Sequence, residues 1–182
     1  MAIRKRQSYT YQDWLDFDQN SDTRSELIDG QIYLMSAPSR RHQAVTGEIY
    51  RQLSNNLRGK SCRPYVSPFA VRLEKDTLVM PDVVVICDPK KLTDAGSDGA
   101  PDLIIEVLSP STTRHDKYTK FMLYLRAGVP EYWIVDPDNN AVTVYRLAEN
   151  GYVATVFTDA DKATMNALPG FEIDLAEVFA EE

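Results

Sequence analysis

Glu106 stands inside the apolar run Leu103-Ile104-Ile105-Glu106-Val107-Leu108, and Asp82, just after Pro81, opens a second run, Val83-Val84-Val85-Ile86. Burying an ionised carboxylate without a partner is strongly unfavourable, so a chain that keeps one there supplies a cation, a proton or a metal ion. If the two strands are neighbours, both carboxylates can converge on one divalent cation. Oxygen-only ligation suits Mg2+ or Mn2+, which keep several waters and bind phosphate oxygens. Such an ion polarises a phosphodiester and acidifies an attacking water. Hydrolysis also calls for a cation near the developing phosphorane charge. Lys120, on the helix after the Glu106 strand, is the candidate, with Lys117 one turn away as the alternative.

Each of these residues has a plainer role to compete with. Glu106 can pair with a buried arginine such as Arg72, and Asp82 can cap a Pro-Asp turn at a strand entrance. Lys120 can be a solvated helix lysine. His42 and His115 are the only histidines. No Gly-x-Ser-x-Gly elbow accompanies Ser109 or Ser111, which argues against a serine hydrolase. Asp102 repeats the Pro-Asp pair near the opposite end of the Glu106 strand and reads as a strand-entry residue. Tyr132 and Trp133 read as core, and Arg40, Arg41 and Arg51 as a solvated helix face or, more sharply, as phosphate contacts.

The elements that must position these groups are mixed α and β. Thr10 caps a short helix from Tyr11 to Phe17, and Asp29-Gly30 turns a hairpin within the stretch from Leu27 to Leu34. Ser39 caps a long helix to about Leu57, with Val45, Ile49 and Leu53 on one face. Strands are predicted from Tyr65 to Leu73, Leu78 to Ile86 and Leu103 to Leu108, with a polar loop from Asp88 to Ala100. The last of these strands does not alternate, which predicts burial on both faces. A helix follows with Tyr118, Phe121, Met122 and Leu125 as its core stripe, Lys120 off that stripe, and Gly128 closing it. A strand from Glu131 to Val135 completes a β-α-β unit. Strands from Ala141 to Leu147 and from Tyr152 to Phe157 are joined through Asn150-Gly151.

At 182 residues, 43% hydrophobic and 26% charged, the chain predicts one soluble domain over 1–182. No apolar stretch is long enough to span a bilayer, and no hydrophobic segment follows the basic start at Met1 to Arg6. Two cysteines, Cys62 and Cys87, are too few for a disulfide framework or a thiolate zinc site, which points to a reducing cytoplasm. A net charge of −7 disfavours nonspecific coating of nucleic acid. Six cations against the single acid Glu48 between Arg40 and Arg63 leave a local exception.

Met80-Pro81-Asp82-Val83, the stretch from Ala100-Pro101-Asp102 through Glu106-Val107-Leu108-Ser109-Pro110-Ser111-Thr112, and the stretch from Lys120-Phe121 through Ala127-Gly128-Val129 to Glu131-Tyr132-Trp133-Ile134-Val135-Asp136 together resemble the Uma2 family of the PD-(D/E)xK nuclease superfamily. The similarity reaches upstream to Arg24-Ser25-Glu26-Leu27-Ile28-Asp29-Gly30 and Arg41-His42-Gln43, so it covers most of the chain. The resemblance implies a restriction-endonuclease-like core, a central mixed β-sheet flanked by α-helices, in a bacterial, cytoplasmic Mg2+-dependent endonuclease acting on DNA. It implies Asp82 and Glu106 as metal ligands and Lys120 as the catalytic lysine. It also implies Glu48 as the extra acid on the early helix, in competition with a surface pair between Glu48 and Arg51. The lysine expected two positions after the second acid is Leu108 here, so its role moves to another element. A descendant that binds nucleic acid or a protein without turnover is the alternative. A homodimer, pairing through the Asn150-Gly151 hairpin, is expected.

Overall fold

The computed structural model describes residues 8–109 and 115–180, apart from the side chains of 115–117. Helix α1 (Tyr11–Gln19) begins at Thr10, whose hydroxyl accepts from the Asp13 N–H while Asp13 accepts from the Thr10 N–H. Strands β1 (Ser25–Ile28) and β2 (Gln31–Leu34) form the expected hairpin, with Asp29 and Gly30 at φ 49° and 71°. Helix α2 (Arg40–Leu57) starts at Ser39, whose hydroxyl accepts from the His42 N–H, and it buries Val45, Ile49, Leu53 and Leu57.

Two predicted strands are each divided between two sheets. The stretch from Tyr65 to Leu73 becomes β3 (Arg63–Val66) and β4 (Ala70–Glu74), and that from Leu78 to Ile86 becomes β5 (Thr77–Val79) and β6 (Val83–Ile86). β3 pairs with β6 in one sheet and β4 with β5 in the other, so the chain crosses between sheets at 67–69 and returns at 80–82. Pro68 and Pro81 sit at these crossings, where a missing N–H interrupts any ladder. The expected polar loop after Asp88 holds a 3-10 turn (Pro89–Lys91) and two short strands, β7 (Leu92–Thr93) and β8 (Gly96–Asp98).

Strand β9 (Leu103–Val107) is wholly buried. A π-helical turn (His115–Lys120) runs into α3 (Phe121–Ala127), which Gly128 ends in the left-handed region. β10 (Glu131–Asp136) returns parallel to β9, and β11 (Ala141–Ala148) and β12 (Gly151–Thr158) form the second hairpin. β13 (Lys162–Thr164) pairs with β14 (Glu172–Asp174), and α4 (Leu175–Phe179) follows.

The sheets run β2-β1-β5-β4-β8-β7 and β12-β11-β10-β9-β6-β3, each mixed, with β4–β8 and β9–β10 the parallel pairs. Alternate residues of β9 serve different layers. Leu103, Ile105 and Val107 pack with α2 and α4, whereas Ile104 packs with α3 and with Ile28, Val71 and Val79 of the first sheet. Glu106 therefore projects to the side where α3 and the first sheet meet.

Two expectations need correction. The cysteines are joined: Cys62 and Cys87 continue the β3–β6 register and form a disulfide. The stripe on the helix after β9 is also different. Tyr118 and Met122 are 69% and 59% exposed, and the buried face is Lys120, Leu123 and Tyr124, continued by Ala127. The observed face keeps the i, i+3, i+4, i+7 spacing but lies two residues later, because it begins at a lysine that buried carboxylates hold inside.

Candidate active site

The register of β6 on β9 sets Val83 opposite Ile105 and Val84 opposite Ile104, so Asp82, at the bend just before β6, and Glu106 are the next residues along the two chains, and both line one cavity. The Asp82 carboxylate is held there by the Val107 N–H, which donates to Oδ2 at 2.8 Å. His42, in the first turn of α2, brings Nε2 to 3.2 Å from the same oxygen, and its Nδ1 lies 3.5 Å from the Thr46 hydroxyl.

Glu106 is nearly buried, and its Oε1 accepts from Lys120 Nζ at 2.9 Å and from the Tyr124 hydroxyl at 2.7 Å. Lys120 is itself buried, with Nζ 3.0 Å from Oε1 of Glu26 on β1. That same Glu26 oxygen accepts from the Met80 N–H at 2.8 Å, which ties the first sheet to the crossing ahead of Asp82. One ammonium thus sits between two buried carboxylates from different sheets. Burial, then the charges of Glu106 and Glu26, push the Tyr124 phenol well above its ordinary pKa, so it is a neutral donor. Glu26, His42, Asp82, Glu106 and Lys120 line a cavity of about 770 Å3 with Ser109, bordered also by the exposed Tyr33, Leu34 and Val66.

Asp82, Glu106 and Lys120 are therefore brought together, and Glu48 is not. Glu48 binds Arg51 Nε at 2.7 Å and Gln52 Nε2 at 2.9 Å, and Arg51 goes on to Glu177 of α4 at 2.7 Å. Arg51, its nearest cation, holds the Glu48 carboxyl below its usual pKa. Arg72, the alternative partner for Glu106, pairs instead with Asp98. Asp102 sits at the entrance to β9 and accepts from the Cys87 N–H. The side chains of Lys117 and His115, and Ser111, lie outside the described residues.

Sequence reasoning passed over Glu26 as a site residue. Its signal was the one that exposed Glu106, an acid inside a strand, but only Leu27 and Ile28 follow it before the turn. A buried strand acid is not by itself a site, as Glu131 shows. That carboxylate is fully buried yet satisfied by the Trp133 indole and by the Asn166 and Ala167 N–H groups. Glu106 instead receives an ammonium and a phenol beside a cavity.

Among the described residues no group of three or more His, Cys, Asp or Glu side chains is assembled as a metal cage. Two carboxylates lining one cavity fit a hard cation that keeps most of its water, such as Mg2+ or Mn2+, and do not fit a thiophilic one.

A family model named Uma2 and described as "Putative restriction endonuclease" matches residues 9–176. Two uncharacterized proteins of Synechocystis sp., slr1290 and sll1609, are 28% and 29% identical over 142 and 140 residues. The matches cover 77% and 75% of this chain and 75% and 79% of those proteins. A crystal structure described as that of "a putative nuclease belonging to DUF820 from Anabaena variabilis" aligns with a TM-score of 0.72 at 23% identity, over 87% of this chain and 91% of that one. At that identity the likeness is one of fold.

Proposed function

The chain belongs to the Uma2 family, and from that membership we propose that it is an endonuclease, dependent on Mg2+ or Mn2+, that hydrolyses phosphodiester bonds in DNA. Asp82 and Glu106 hold the ion, which when bound supplies Lewis-acid polarisation of the phosphate and a more acidic water. Lys120 orients the attacking water. Its ammonium offsets the negative charge that gathers on the phosphoryl oxygens as the water oxygen bonds to phosphorus and the leaving oxygen departs. Glu26 steadies that ammonium from the first sheet, and Tyr124 fixes Glu106 by donating to it. His42 and the Val107 N–H restrain Asp82. We read 1–182 as one such domain acting as a homodimer. The observation that supports this reading most is that Asp82, Glu106 and Lys120 line one cavity, with Lys120 bonded to Glu106.

Purified protein incubated with supercoiled plasmid and Mg2+ or Mn2+ is expected to nick it. Asp82→Ala and Glu106→Gln should abolish nicking, and Lys120→Met should slow it by about 10²–10⁴-fold. Nicking that survives Asp82→Ala sinks the assignment. Mn2+ binding by calorimetry with no nicking in the unaltered chain would make the fold a silent binder instead.

A further inference from the structure

Strand β12 closes the second sheet, with β11 on one side and, among the described residues, no strand on the other. Its eight residues, Gly151-Tyr152-Val153-Ala154-Thr155-Val156-Phe157-Thr158, include no charge and no proline, and they pair with β11 without a bulge. Edge strands are ordinarily blunted by such devices, because an exposed row of N–H and C=O groups templates another strand. Apolar side chains are exposed on both faces of this edge. Val156, 63% exposed, lies on the side of Tyr152, which packs toward α3; Val153, 60% exposed, lies on the side of Phe157, which packs toward the α2 core. A helix or sheet laid over either face would cover one valine and leave the other. A strand added in the plane of the sheet borders both. The strand carries no cation of its own, and Arg146 of β11, which reaches the Thr155 hydroxyl at 3.5 Å, is already committed to the Thr164 carbonyl at 2.7 Å, so a phosphate backbone finds little counter-charge there.

We propose that β12 pairs antiparallel with β12 of a second copy of this chain, about a two-fold axis through Thr155, joining two six-stranded sheets into one. Opposed residues in an antiparallel pair share a face, so the register must match residues of like parity. Centring it on Thr155 sets Val153 against the partner's Phe157 and Val156 against the partner's Ala154. Apolar side chains then meet on both faces, and the contact is self-complementary as a two-fold requires. The edge lies three strands from β9, so the cavity stays open and the pairing stands whether or not the chain is a nuclease.

Light scattering on the full chain at micromolar concentration is expected to give twice the 20.6 kDa protomer mass. Thr155→Lys opposes two like charges on the axis and should return the mass to that of one chain, with the circular dichroism unchanged. Under mild oxidation Thr155→Cys should cross-link into a covalent dimer and Val153→Cys should not, since Cys62 and Cys87 are already bonded to each other. A single-chain mass at all concentrations overturns the proposal. So does a dimer that persists in Thr155→Lys, or one that cross-links through Val153→Cys instead.

Discussion

Lys120 is the residue whose environment decides most about the site. It is a lysine with almost no solvent exposure, held between Glu26 and Glu106. Removing its charge leaves two buried carboxylates facing each other, the costly way to break such a set. Lys120→Met is therefore expected to lower stability by roughly 3–5 kcal/mol, read from urea unfolding. Glu106→Gln leaves one ammonium–carboxylate pair intact and should cost clearly less; a reversed order would mean the lysine is not the centre of the cluster. Tyr124 adds a pH dependence with a definite sign. Its native pKa is raised above the unfolded value near 10, so the native state holds the proton more tightly. That stability is complete below about pH 10 and is lost as pH climbs through the native pKa. Tyr124→Phe should reduce the alkaline loss relative to the unaltered chain, leaving the share owed to Tyr145 and Tyr152, which burial also raises. Free energy of unfolding measured from pH 8 to 11, about two units below to one above the free tyrosine value, checks it. Parallel curves for the two proteins would remove Tyr124 from the account.

At the scale of elements, what separates legible from hidden is whether a segment obeys one period throughout. Helix α2 does, and Ser39, Val45, Ile49 and Leu53 announced its start and its buried face. The hydrocarbons of the helix after β9 do not, because its buried face begins with a lysine. The crossings at Pro68 and Pro81 likewise hid inside runs that read as continuous strands. Helix α2 also carries Glu48, and its partners there are Arg51 and, through it, Glu177 of α4. Glu48→Gln is thus expected to leave nicking and Mn2+ binding unchanged while loosening the α2–α4 contact. Loss of Mn2+ heat in that variant would return Glu48 to the metal site.

For the whole molecule, charge and covalent links matter more than any one contact. The basic stretch around α2 is largely engaged within the chain. Arg41 donates to the Pro137 carbonyl and Asn140, Arg63 to the Lys60 carbonyl, and Lys60 sits over the Phe171 ring. With Arg51 paired as well, Arg40 and Arg58 are what this stretch offers to phosphates, so DNA binding through it should weaken only gently with salt, with a log–log slope shallower than about −3. A steep slope would reveal a basic surface outside these contacts. Reducing the Cys62–Cys87 bond, which spans 25 residues, should lower stability by on the order of 3 kcal/mol, with thiol titration in denaturant finding no free thiol beforehand. The sequence by itself determined the longer helices and strands as far as Phe157, the family they resemble, and that Asp82 and Glu106 are acids set among hydrocarbons, because local period and composition carry that information. Only the tertiary structure decided that Glu26, His42 and Tyr124 join them, that Glu48 does not, and that the cysteines meet. Those contacts are set by strand register and by chain crossings between sheets, which bring together residues up to about a hundred positions apart and leave no mark on local pattern.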